Sequence, residues 1–126
     1  MKKNTNDVSA LDINAVQSRM LTIRGQQVLI DRDVAALYGV STKEVNQAVR
    51  RNSGKFPEGY IMTLTGEECS RSQIVTLKSG RGANLKYNPH AFTERGLYML
   101  ATILKSPIAT RATLAIIETY AKVRSM

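Results

Sequence analysis

Between positions 42 and 55 stand Thr42, Lys43, Asn46, Gln47, Arg50, Arg51 and Lys55, side chains suited to base edges and phosphates. Asn and Gln carboxamides pair with adenine through two hydrogen bonds, and an arginine fork pairs with guanine in the major groove. Asn46, Gln47 and Arg50 are therefore the expected base readers. Lys43, Arg51 and Lys55 are expected on phosphates, where contacts position a protein without specifying sequence. A second group, Lys78, Arg81 and Lys86, surrounds the run Ser79-Gly80-Arg81-Gly82. A small cationic tip of this kind can reach a phosphate or a minor groove, as basic arms do. The alternative is an ordinary turn with solvated bases, since it lacks the P-loop glycines followed by Lys-Ser/Thr.

The charge distribution supports a polyanion-binding face. The 126-residue chain carries a formal charge of +8. Residues 43–55 set four bases against Glu44 alone, a net +3, and residues 71–95 set five against Glu94 alone, a net +4. Between them, Glu58, Glu67 and Glu68 stand without a base. Two basic segments that met in space would make one positive surface. The plainer reading is that lysines and arginines keep the protein soluble, but clustering this uneven argues for a partner.

Several elements must position these residues. SRMLTIRGQQVLID alternates apolar and polar residues around Arg24-Gly25, which predicts a hairpin. Asp31 is expected to cap the helix that follows, whose apolar face is Val34, Leu37 and Tyr38. Gly39 suits the left-handed stop of that helix. Ser41 and Glu44 have capping-box spacing, so a second helix should start there. It would bury Val45, Ala48 and Val49 and expose the polar residues named above. A short helix, a Gly turn and a capped second helix make a helix-turn-helix over residues 31–52. Its plain alternative is a helical hairpin with a solvated face.

Pro57 and Gly59 break the chain, YIMTLT reads as a strand, and Thr65 with Glu68 repeats the capping-box spacing. RSQIVTLKSGRGANLKYNP is expected to be a second hairpin or an extended loop, with Ile74, Val75, Leu77, Leu85 and Tyr87 as strand residues. AFTERGLYMLATIL reads as a helix from the spacing of Leu97, Leu100, Ala101 and Leu104. Pro107 is expected to open a final helix, whose stripe of Ala109, Ala112, Ile116, Tyr120 and Val123 is widened by Leu114, Ile117 and Ala121. That width suits core closure, or pairing with a second subunit as a homodimer.

Other chemistries are not supported. The single cysteine, Cys69, excludes an internal disulfide and fits a reducing compartment. His90 is the single histidine and stands in no metal-ligand spacing. No nucleophile elbow appears. The expectation is a protein that is not an enzyme and needs no cofactor or metal. No apolar run approaches the roughly 18–20 residues of a membrane span, and no apolar segment follows Lys2 and Lys3, so a cytoplasmic location without membrane contact is expected.

These residues also carry a resemblance. The run IRGQQVLIDRDVAALYGVSTKEVNQAVRRNSGKFPEGYIMTLT, then RSQIVTL, then YNPHAFTERGLYMLATIL, resembles the ORF-six N-terminal domain family, related to the KilA-N and Bro-N domains. Ile23-Arg24-Gly25, Asp31 through Tyr38, Val49 through Asn52, Phe56-Pro57, Arg71 through Ile74, Ala91 through Glu94 and Gly96 stand in family-like order, and the similarity spans roughly residues 18–124. Between Leu77 and Tyr87 the sequence departs from it, with Lys78, Arg81 and Lys86 spread out where an aromatic and paired arginines are expected. The resemblance implies a compact α+β fold and a DNA-binding transcriptional regulator or antirepressor-like protein of a phage or prophage.

The expected organisation is a flexible segment over residues 1–17 and one DNA-binding domain over 18–126. Its parts are helix-turn-helix-like helices, two short hairpins and a C-terminal helical pair. The chain ends just after the last expected helix, which suits a short standalone protein or the first part of a longer regulator. The expected partner is double-stranded DNA. The alternative is a protein-interaction module that binds a repressor or another subunit through its C-terminal apolar helix.

Overall fold

The computed structural model describes residues 10–74 and 88–125. Strands β1 (Leu21–Ile23) and β2 (Gln26–Ile30) form the expected hairpin, with Ile23 opposite Gln26. Its two loop residues, Arg24 and Gly25, have φ of 53° and 79°. Positive φ at both positions matches the twist of the flanking strands, which is why two-residue hairpins select such turns.

Two further strands, β3 (Ile61–Thr63) and β4 (His90–Phe92), complete an antiparallel sheet in the order β1-β2-β4-β3. β4 is interior: Ala91 lies between Ile30 and Met62, and Phe92 between Leu29 and Ile61. Ala91 and Phe92 were expected at the start of a helix. The helix, α5, instead runs Glu94–Ala101, because Thr93 caps it and its Oγ1 accepts from the Gly96 amide. A three-residue strand is too short to show alternation, so only the helical spacing behind it is visible in the sequence.

The sheet has an apolar layer on each face. Leu29 and Phe92 point to one cluster, with buried Val34, Tyr38, Val45, Leu97, Leu100 and Ile116. These come from α2 (Asp31–Tyr38), α3 (Thr42–Arg51), α5 and α6 (Ala109–Arg124). Val28, Ile30, Met62 and Ala91 point to a second cluster with Leu64, Cys69 and Ile74. Cys69 lies on the short helix α4 (Gly66–Arg71), which Thr65 and Glu68 open with the expected capping box. The result is the α+β fold expected.

Two boundaries differ from expectation. A flexible segment was expected through residue 17, but Ala10–Gln17 form α1, which lies against α6. Val16 is 1% exposed, Arg111 binds Asp12 at 2.9 Å, and Thr119 Oγ1, which donates to the Ala115 carbonyl at 2.7 Å, lies 3.4 Å from the Ile13 carbonyl. The segment has little amphipathic signal of its own. Its partners arrive some hundred residues later, and tertiary packing decides the helix. At the other end, α6 opens at Ala109 rather than Pro107, with Ile108 at the cap position and no side-chain cap. Among the described residues no helix is long and apolar enough to cross a membrane. The strands expected at Val75, Leu77, Leu85 and Tyr87 lie outside the described residues.

Candidate nucleic-acid interface

The interface is assembled from its turn outward. α2 stops at Gly39, whose φ of 69° puts it in the left-handed region. The Val40 amide then reaches back to the Ala35 carbonyl at 3.0 Å, which satisfies an end-of-helix acceptor. Ser41 starts α3 with both halves of the expected capping box. The Glu44 amide donates to Ser41 Oγ at 3.0 Å, and the Ser41 amide donates to Glu44 Oε1 at 3.0 Å. Two orphan amides are satisfied, so the direction of α3 is set at its first turn.

Asp31 does not occupy the cap position expected of it. Ile30 is at the cap, and Asp31 is the first residue of α2. The chain enters directly from β2, and the Asp31 side chain turns inward, 1% exposed. Its Oδ1 accepts the Arg32 amide at 2.8 Å, and its Oδ2 accepts Asn46 Nδ2 at 3.0 Å and the His90 amide at 3.4 Å.

Val45 of α3 is fully buried, and Ala48 and Val49 are half-buried against the core. Lys43, Arg50 and Arg51 are exposed, as is Lys55 at the end of a 3-10 turn, Ser53–Lys55. Thr42 and Gln47 are half-buried. Lys43, Gln47 and Arg50 fall at i, i+4 and i+7, so one stripe of the helix carries them. Asn46 flanks that stripe but is committed inside the domain: its Nδ2 is on Asp31 and its Oδ1 is on His90 Nδ1 at 2.9 Å.

Among the described residues, the cations of α3 and of the turn after it are free of ion pairs, a state they share with Arg95, Lys105 and Lys122 but not with five arginines elsewhere. Arg19, Arg24, Arg71, Arg111 and Arg124 each have a carboxylate within 4 Å. Among the described residues, Lys43, Arg50, Arg51 and Lys55 have none. Arg50 and Arg51 sit in the last turn of α3, where the helix dipole favours cations. That explains the last turn only, since Lys43 lies at the opposite end. Lys78, Arg81, Lys86 and the Gly-rich tip lie outside the described residues.

Beside α3 runs a groove of about 190 Å³, lined by Asn46, Val49, Ser53, Phe56, Thr63 and His90 among others. His90, which the sequence set aside as a lone histidine without metal-ligand spacing, is the residue missed as part of this interface. Its signal is positional: it opens β4, opposite Thr63, and this register carries its ring to Asn46.

An antiparallel sheet with a capped, basic helix mounted on its helical layer defines the class, a compact α+β module. A family model, the ORF6N domain, matches residues 18–103, and the chain belongs to that family. The match stops short of α6, whereas the resemblance in sequence reaches about residue 124. No curated protein and no solved structure matches the chain. Membership fits a phage-type regulatory protein of the antirepressor kind.

Proposed function

We propose that this chain is a duplex DNA-binding module of a cytoplasmic phage or prophage regulator, not an enzyme, with α2 and α3 acting as a helix-turn-helix. The observation that carries this reading is the face of α3 and its continuation, where Lys43, Arg50, Arg51 and Lys55 stand exposed with no carboxylate partner among the described residues. Unneutralised cations attract a polyanion, and phosphate contacts release counterions, so affinity falls steeply with salt. Arg50 and Gln47 are the base readers in this reading, and Lys43, Arg51 and Lys55 hold phosphates. Lys78, Arg81 and Lys86 remain further phosphate contacts on the strength of the sequence alone, since they lie outside the described residues. Fluorescence anisotropy with labelled duplexes at two salt concentrations tests the reading; undetectable binding at low salt ends it.

A second reading has one observation in its favour. α6 leaves Ile117 37% exposed, with Leu114 half-buried and Ala121 exposed beside it. An apolar strip on the helix outside the family match suits a repressor, or a second copy of the chain, as partner. In that reading the basic face is incidental.

A further inference from the structure

We propose that His90 is a base-reading residue of this interface, held by Asn46 and Asp31 in the tautomer that leaves its Nε2 a hydrogen-bond acceptor; the proposal rests on the DNA reading above. Hydrogen-bond chemistry settles the direction of each link. Asp31 Oδ2, a carboxylate oxygen that also accepts the His90 backbone amide, can only accept, so Asn46 must turn its Nδ2 towards it. The opposite rotamer would set two acceptors face to face. Asn46 Oδ1 therefore faces His90 Nδ1 at 2.9 Å, and an amide oxygen only accepts. The proton of the neutral imidazole must then be on Nδ1. The nitrogen left over, Nε2, carries a lone pair.

Exposure and position favour reading by that lone pair. The His90 side chain is 34% exposed, whereas the Asp31 side chain that anchors the relay is 1% exposed. His90 Nε2 has no hydrogen-bond partner among the described residues. The ring is bonded to Asn46, one helical turn before Arg50, so it borders the Lys43–Gln47–Arg50 stripe on the groove side. An acceptor there complements the exocyclic amino group of adenine or cytosine, the donors that the major groove displays. Asn46 is then a positioning residue: it aims the ring of His90 and contacts no base itself.

The test combines spectroscopy with selection of bound sequences from a random duplex pool. In wild-type protein, imidazole 15N shifts should show Nδ1 protonated and Nε2 bare. Asn46→Ala should release the ring to a mixture of tautomers. His90→Asn keeps a donor for Asn46 but places no atom where Nε2 was. It should lose about three- to tenfold preference for adenine or cytosine at one position of the selected site. That position should differ from the one relaxed by Arg50→Ala, and thermal unfolding should stay close to wild type. A wild-type ring protonated at Nε2, or a selected site unchanged in His90→Asn, overturns the proposal. Wild-type protein that binds no duplex overturns the DNA reading and the reading role with it, a result distinct from either of those.

Discussion

Arg24 grips Glu68 with two parallel hydrogen bonds, Nε to Oε2 at 2.8 Å and Nη2 to Oε1 at 2.9 Å. The same Nη2 also reaches the Thr63 carbonyl at 3.2 Å. One side chain thus ties the β1–β2 turn to the cap of α4 and the end of β3. The guanidinium of Arg24, helped by the Thr65 amide, holds the Glu68 carboxyl down at about 2 against an ordinary 4.5. A depressed carboxylate stabilises the fold while it is ionised. That contribution is complete above about pH 4.5 and is lost as pH falls towards 2. Arg24→Asn removes the grip while tolerating the positive φ of the turn. It should unfold in less urea than wild type at pH 7, and the difference should shrink towards pH 2.5. A difference that stays constant across this range would show that Glu68 is not the partner that matters.

Arg50 and Lys55 should separate when duplex binding is measured against salt and sequence. Arg50→Ala should relax preference at one base position by about 1–3 kcal/mol if its fork reads a guanine. Lys55→Ala should weaken every sequence alike and reduce the salt slope by about 0.9. Equal, sequence-independent losses from both variants would place Arg50 on a phosphate instead. Neither residue is in an ion pair among the described residues, so lost packing or pairing inside the domain should contribute little to either result.

Ser41→Ala tests whether the capping box orients α3. It leaves the Glu44 amide without its acceptor at 3.0 Å. The expected cost is about 1 kcal/mol of stability, seen as a lower urea midpoint with an unchanged slope. Duplex affinity should fall for all sequences together, since the helix that carries Lys43 and Arg50 frays at its first turn. Unaltered stability would show that the cap is redundant with the packing of Val45.

What could be read from the sequence follows a physical rule. Ser41 with Glu44, Thr65 with Glu68, Gly39 and Arg24-Gly25 act on neighbours in the chain, and each has the conformation that its local chemistry predicts. The strand at Ala91-Phe92 and the helix at Ala10–Gln17 take their partners from remote segments, so no local pattern announces them. Asn46 shows the same limit within the candidate site. Its type suggested a base contact, and only the tertiary position of Asp31 and His90 accounts for both ends of its amide. The residues that carry the family resemblance turn out to do structural work in several cases: Arg24 holds Glu68, Thr93 caps α5, and Gly96 admits a backbone. Family resemblance therefore marks the fold more directly than it marks the contacts with a partner.

Gly96→Ala should be among the most damaging small changes in the domain. A methyl group at position 96 would stand 2.0 Å from the Tyr60 carbonyl oxygen and 3.0 Å from its carbon. That oxygen cannot move freely, because it accepts the Thr93 amide at 3.1 Å. Helix propensity alone would favour alanine by about 1 kcal/mol, so a destabilised variant isolates the steric effect. The expected loss is about 2–4 kcal/mol, in the range of overpacked or strained core positions. Thermal unfolding that matches or exceeds wild type would mean that α5 shifts to accept the methyl.

Ile117 and Ile116 offer the sharpest test of the partner reading, because they are adjacent on α6 and only one of them is buried. Ile116 is 1% exposed, among the core residues that α5 and α2 complete. Ile116→Asp would bury an unpaired charge and should unfold the domain, so loss of binding in that variant says nothing about a surface. Ile117 is 37% exposed, and Ile117→Asp should leave the urea midpoint close to wild type. If α6 is the working surface, Ile117→Asp should abolish capture of a repressor partner or self-association in sedimentation equilibrium, while duplex binding survives. If duplex DNA is the working partner and the chain acts alone, Ile117→Asp should change neither. The double variant Arg50→Glu, Arg51→Glu should give the mirror result: duplex binding lost, and any association through α6 unaffected. The two surfaces lie on different helices, so a variant pair that moved both readouts together would instead point to an obligate dimer as the DNA-binding species.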